Sequence, residues 1–495
     1  MSSDSRVSQT HRSTRWNALG RGLDAAVRYG VVVVLVQQGW MGAYDWGLFE
    51  GALLITGFLD LFVDLGTGQT VVQRTEITQR FSATIFWFNL AVGVVLSFLL
   101  FLLAPLLSSL IGIPECAPVM RVLAPTFVVA SLGLVQRCLL AREMDFGGIS
   151  RVNAVGALVY GTTALFLAAR GHGAWGLATG LVASVCVQTI GYWWLSPWRP
   201  SLEFEKQHLK EIYHFSSRLM GANLTGYLLN RIDRMLAARF LGTEALGVVG
   251  LARRIVVQPA RLLPMVVVGT LVPSLARVKH SPAQFRARYE RALAGLAYLM
   301  APVLLGMVLT ADLWMNAKGA AVDEQLSRLI WLFLPFALCH ALLSLAGPVY
   351  VALGRTDLML RVGVALGTWL VIADLIALWL WNSPGALAAA LSLAMLTAFP
   401  FAVGVPLRLA GSGLVEGLRG PLTSVVCAAA MGGAVGGVRL ALETSSVSWS
   451  VELAVVVLTG VGAYAALSLL LKPRGAADLL FLIGAHRLGA RLAPR

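Results

Sequence analysis

Charge is what this 495-residue chain has least of. Only 13% of its residues are Asp, Glu, Lys or Arg, against about 25% in an average soluble domain. A string of soluble domains is excluded on that ground, and no soluble nucleotide-binding domain is expected. No Walker A sequence is present, which argues against direct ATP drive. HExxH and GxSxG are also missing, and the 7 histidines are dispersed, so no catalytic group is assigned. The 5 cysteines, Cys116, Cys138, Cys186, Cys339 and Cys427, show no C-x-x-C spacing. They supply neither a disulfide framework nor a metal site. Acidic residues are scarcer still, 25 against 39 Lys and Arg, for a net charge of +14. The basic residues lie mostly in every second connection and in the tails. That argues for membrane topology and against a nucleic-acid partner.

What is present is hydrocarbon. The chain is 57% hydrophobic, arranged in repeated apolar runs of about 20 residues or more, the length that crosses a bilayer. The pattern predicts an all-α polytopic membrane protein with about 14 transmembrane helices. The first apolar run carries charges and no small-residue cleavage site, so it is expected to be the first membrane helix, not a removable signal. Placing Arg6, Arg12 and Arg15 in the cytoplasm puts most Lys and Arg on the same side, with both termini inside. Glu205–Phe215 and Ser281–Arg291 are amphipathic enough to lie on the inner surface as separate helices, or to be solvated loops.

The chain also repeats. Gly42, Gly47 and Thr70 recur 200 positions later as Gly242, Gly247 and Thr270. Arg142–Asp145 has a counterpart in Gly354–Asp357, and Ala174–Ala178 a weaker one in Pro384–Ala388. Two homologous six-helix lobes around a central cavity follow, with two further helices after them. The expected organisation is a tail over 1–15, a first lobe over 16–198 and an interfacial linker over 199–213. A second lobe over 214–410, two extra helices over 411–472 and a C-terminal tail over 473–495 complete it. In the second lobe, Leu241–Gly247 reads as the turn between its first two spans.

Those first two spans carry charges that hydrocarbon does not tolerate at the centre of an exposed helix. Arg21, Asp24 and Arg28 fall at i, i+3 and i+7 on one stripe. Asp60 and Asp64 fall at i, i+4, and Glu50 lies within about 40° of Asp64 at 100° per residue. In the second lobe, Arg231, Asp233, Arg234, Arg253, Arg254 and Arg261 take the corresponding places. By span counting Arg28, Asp60 and Arg261 are deepest. The arrangement predicts a water-filled cavity with a basic wall from the second lobe. Clustered guanidinium groups there suit phosphate or pyrophosphate. Arg21, Arg28, Arg231, Arg234, Arg253, Arg254 and Arg261 are therefore the candidate substrate-binding residues. Asp24, Glu50, Asp60, Asp64 and Asp233 are candidates for balancing charge or coupling to H+ or Na+. The alternatives are snorkelling to the interfaces and structural ion pairs. His340, deep in a span, reads as a packed core histidine.

Several local patterns resemble the Wzx-type polysaccharide flippases of the MOP exporter superfamily. They include Asp64-Leu65-Gly66-Thr67-Gly68, then Val71-Val72-Gln73-Arg74 and Phe86-Trp87-Phe88-Asn89-Leu90. Gly133-Leu134-Val135-Gln136-Arg137, Trp198-Arg199-Pro200-Ser201-Leu202 and Phe240-Leu241-Gly242 are similar to the colanic-acid-type subgroup. The resemblance covers about residues 15 to 410. It implies transport of undecaprenyl-diphosphate-linked oligosaccharide repeat units from the cytoplasmic to the periplasmic leaflet of a bacterial inner membrane, by alternating access. It further implies no cofactor, a role in exopolysaccharide, O-antigen or capsule synthesis, and membrane lipids as surroundings. A polysaccharide polymerase and a chain-length regulator are the implied protein partners. Contacts from Arg28, Arg254 and Arg261 to the diphosphate or to acidic sugars are expected. Rival readings are a MATE-like multidrug exporter, a peptidoglycan-precursor exporter and a membrane-embedded glycan polymerase or ligase. A multidrug site would be acidic and aromatic. A polymerase would carry a large outer loop, whereas the longest outer connection here is short, about Asn316 to Ser327.

Overall fold

The computed structural model describes residues 3–64, 67–74, 77–315, 324–442, 448–471 and Gly475. Side chains at 3–19, Arg21 and most of 206–229 lie outside that description. Leu65, Gly66 and nearly all of the expected C-terminal tail also fall outside it. Among the described residues the ordered elements are all helical. They are α1 (Ser3–Gln38), α2 (Ala43–Asp64), α3 (Thr67–Gln73), α4 (Gln79–Leu110), α5 (Ala117–Leu123), α6 (Pro125–Arg142), α7 (Phe146–Ala169) and α8 (Gly173–Leu195). Then follow α9 (Lys206–Arg277), α10 (Pro282–Met315), α11 (Glu324–Leu343), α12 (Ala346–Ala352), α13 (Thr356–Trp381), α14 (Pro384–Leu409), α15 (Leu414–Leu442) and α16 (Trp449–Leu471).

Among the described residues, 12 helical segments are long and apolar enough to cross a membrane. Helix α1 is a further long helix, and α9 is two helices merged across a kink at Gly242. With those two additions the helices match the expected set of spans. Side chains exposed on α4, α13 and α16, among them Phe98, Phe101, Leu102, Trp379, Leu458 and Leu470, are large and apolar, as a lipid-facing surface requires. The chain is a multi-pass membrane protein.

The chain divides into two compact units, Met1–Gly250 and Leu251–Arg495. In the first, α7 packs on α1 and α8, and α6 on α3, α4 and α8. In the second, α10 packs on α11, α15 and α16, and α14 on α11 and α13.

The boundary at Gly250 lies beyond the expected linker, because the Tyr227–Gly250 part of α9 leans on α2 inside the first unit. Tyr227 donates to the Leu54 carbonyl at 2.7 Å. A methyl group added at Gly47 would overlap the Thr243 carbonyl, and one at Gly247 would overlap that of Ala43. The twin glycines of the repeat thus meet each other's helix reciprocally.

Three local expectations are corrected. The turn expected over Leu241–Gly247 lies where expected but is confined to one residue. Gly242 has φ 84° and ψ −173°, a conformation open essentially to glycine alone, and the helix resumes at once. Glu205–Phe215 is not a separate surface helix, since the backbone is helical without a break from Lys206 to Leu241. Ser281–Arg291 likewise forms the opening turns of α10, pinned by Arg286 to Glu290 (2.8 Å) and Glu416 (2.6 Å). In both places a span adjoins the amphipathic segment, and continuing the helix satisfies the backbone without a second set of caps.

Two conspicuous motifs have structural tasks. Asp64 caps the start of α3, accepting from Gly68 N at 2.6 Å and Thr67 Oγ1 at 3.0 Å. Asn89 donates to Thr67 Oγ1 at 2.9 Å, and Arg142 donates to the carbonyls of Val71 and Arg74 at the other end. The segment after α8 is strapped to the start of α4. The Trp87 indole donates to the Ser201 carbonyl (2.8 Å), the Trp198 indole to Gln79 Oε1 (2.6 Å) and Gln79 to the Arg199 carbonyl (2.7 Å). The two extra helices dock on α10. Tyr464 donates to the Tyr298 carbonyl at 2.9 Å, and Arg439 on α15 pairs with Asp312 at 2.5 Å.

Candidate functional site

Each unit holds its own group of intramembrane charges. On α1, Arg28 Nε lies 3.0 Å and 3.1 Å from the Asp24 carboxylate oxygens. Its guanidinium lies 4.9 Å from the centre of the Tyr160 ring on α7. Both members of the pair are 31% exposed. The predicted stripe on α1 is therefore partly tied to α7 and partly open. Arg21 lies on the same helix, but its side chain is outside the described residues.

The predicted polar face of α2 is split among three environments. Glu50 is 1% exposed and faces Arg234 of α9, itself 9% exposed, at 3.4 Å. Asp60 is exposed and lies one turn from the end of α2, where Arg137 of α6 acts on it electrostatically. Asp64 is the cap of α3. The 100° rule places side chains around one helix, but their neighbours change along it: α9 at one end, α3 and α6 at the other.

On α9, Asp233 is buried beside Arg234, and the Arg231 guanidinium lies 5.3 Å from the centre of the Tyr227 ring. Further along, in the second unit, Arg253 lies over two buried rings of α11, 5.7 Å from Phe333 and 5.2 Å from Phe336. His340 packs on Phe336 at 5.8 Å and feels the charges of Arg253 and Arg261. Arg254 is half-buried and Arg261 exposed.

Several groups escaped the sequence reading. Asp374, on α13, is fully buried; its signal was a single carboxylate in an apolar run outside the first two spans of its lobe. Arg137 reads as a loop residue from topology alone, yet it lies on α6 within electrostatic reach of Asp60. Phe333 and Phe336 are indistinguishable from core residues until Arg253 is seen against them.

The geometry can be set beside known proteins. The sequence model of a family described as "Polysaccharide biosynthesis protein" matches residues 41–317, more than half of the chain. The lipopolysaccharide biosynthesis protein WzxC of Escherichia coli is 24% identical over 365 residues, covering 72% of each chain. Teichuronic acid biosynthesis protein TuaB of Bacillus subtilis is 25% identical, over 61% of this chain and 63% of its own. Succinoglycan biosynthesis transport protein ExoT of Rhizobium meliloti is 24% identical over 61% of this chain and 60% of its own. Among solved structures, the lipid II flippase MurJ in an inward closed conformation aligns with TM-score 0.72 at 12% identity, over 92% of this chain and 98% of that one. An inward-facing MATE multidrug transporter of the MOP superfamily aligns with TM-score 0.57 at 14% identity, over 79% of this chain and 98% of that one. These structures show the fold: two lobes of the MOP type.

Proposed function

Since the chain belongs to the polysaccharide biosynthesis protein family, we propose that it is a flippase for lipid-linked oligosaccharides. It carries undecaprenyl-diphosphate-linked repeat units from the cytoplasmic to the periplasmic leaflet of a bacterial inner membrane, with both termini in the cytoplasm. The observation that carries this reading is the run of guanidinium groups along α9. Arg231 and Arg234 stand before the kink at Gly242 and Arg253, Arg254 and Arg261 after it, in a stretch otherwise apolar enough to span a membrane. Charges so placed need a polar function. A diphosphate needs charge-assisted donors in place of its lost water, and guanidinium forks supply them bidentately.

The fold alone would equally serve a multidrug exporter. Organic cations call for an acidic cavity, whereas basic side chains outnumber acidic ones along α9. The names of the relatives, one of them a transport protein, support a translocase over an enzyme that joins sugars. A polymerase taking the units on the far side is the natural partner. Coupling to H+ or Na+ through Asp24, Asp60 or Asp233 belongs to the same reading.

Deleting the gene is expected to trap lipid-linked repeat units on the cytoplasmic leaflet, inaccessible to an impermeant glycosidase until the membrane is opened. Single repeat units on the outer leaflet would instead identify a polymerase and overturn the reading.

A further inference from the structure

Arg234 is held poorly for a buried cation. Its Nη1 lies 3.4 Å from Glu50 Oε2, its Nη2 lies 3.4 Å from the Asn230 carbonyl, and its Nε is buried with no hydrogen-bond partner. A well-made guanidinium–carboxylate pair is bidentate, at about 2.7–2.9 Å. Burial without full pairing is costly. The guanidinium is thus rigidly placed and under-satisfied, with Nε and one Nη still able to take a better acceptor.

Glu50 reaches Arg234 through a specific contact. A methyl group at Gly250 would lie 2.6 Å from Glu50 Cγ and 3.1 Å from its Cδ. The carboxylate is therefore pressed into place where α2 and α9 cross at Gly47 and Gly247. Those glycine contacts run backbone to backbone. The crossing therefore depends on both positions carrying no side chain.

We propose that Arg234 is a phosphate receptor that Glu50 occupies in this conformation, and that a phosphate of the substrate displaces Glu50 as the crossing at Gly47 and Gly247 opens. The proposal rests on the flippase reading above. A phosphate group offers oxygens to Nε and Nη together, which Glu50 does not do from its present position. Ligand binding and separation of the helices are then linked, because each state of Glu50 belongs to one state of the crossing.

The test uses the full chain in lipid nanodiscs, with inorganic pyrophosphate as the probe and ligand-dependent thermal shift plus calorimetry as the readouts. Glu50→Gln removes the competing charge and is expected to tighten pyrophosphate binding by roughly tenfold. Arg234→Gln is expected to lose the site, and the double variant to behave like Arg234→Gln. Unchanged or weaker binding by Glu50→Gln makes the pair a structural tie and overturns the proposal. Where Glu50→Gln does not fold, Glu50→Asp decides. Its shorter carboxylate competes less well, so affinity rises, and no rise overturns the proposal. Pyrophosphate bound equally by wild type and Arg234→Gln sinks the proposal alone. No binding by any of these proteins sinks the diphosphate reading with it.

Discussion

Alanine at Gly47 or Gly247 is expected to cut export at least tenfold and to lower the stability of the purified protein by about 1–3 kcal/mol, the usual cost of overpacking. The added methyl group at either position meets a backbone carbonyl, of Thr243 or of Ala43. No rotamer change relieves that overlap, so α2 and α9 must separate. Gly269 and Gly306 are the controls. A methyl group there meets nothing within 4 Å, and alanine in an open helical position is neutral or stabilising by up to about 1 kcal/mol. Thermal unfolding in detergent and export in a deletion strain check both outcomes. Equal effects at the contact and control glycines would show that the crossing carries no special weight.

Replacing Arg254 or Arg261 by alanine is expected to reduce export by about tenfold to a hundredfold. Hydrogen bonds to charged groups are worth about 1.5–3 kcal/mol, and each 1.4 kcal/mol is about a factor of ten. Arg254 is half-buried and Arg261 exposed, so protein levels in the membrane should hold. Arg28→Ala removes the partner of Asp24 as well and should act at least as strongly. Lysine at these places keeps the charge but loses the fork, and should restore only part of the activity. Quantifying surface polysaccharide against membrane-protein abundance checks the series. Full export by all three alanine variants would remove these arginines from the substrate path.

The spans and the repeat were legible because hydropathy and glycine spacing are properties of the chain itself. The identity of twin positions was also legible: Gly47 and Gly247 were paired by register before they were seen to touch reciprocally. The contact itself was not legible, because spacing along a chain does not say which faces meet. Glu50 and Arg234 illustrate the limit. They lie 184 positions apart, and each alone read as a charge facing a cavity. In the structure they are buried against each other. Asp64 was read as an ion-coupling candidate although Thr67 and Gly68 follow it at cap spacing. Asp374 stands alone as a carboxylate in an apolar run, outside the first two spans of its lobe, and so carries no pattern that marks it. Arg253 was found, but its aromatic seat on Phe333 and Phe336 depends on α11 returning beside α9, which periodicity does not encode.

The most direct test of the account is transport by the purified chain. The protein is reconstituted in liposomes holding an undecaprenyl-diphosphate-linked oligosaccharide with a labelled sugar, and an impermeant glycosidase is added outside. The account predicts that the protected inner-leaflet pool becomes digestible over time with wild-type protein, and that Arg254→Ala and Arg261→Ala slow this sharply. An inner pool that stays protected with wild-type protein, or that is exposed equally fast with the arginine variants, would contradict it.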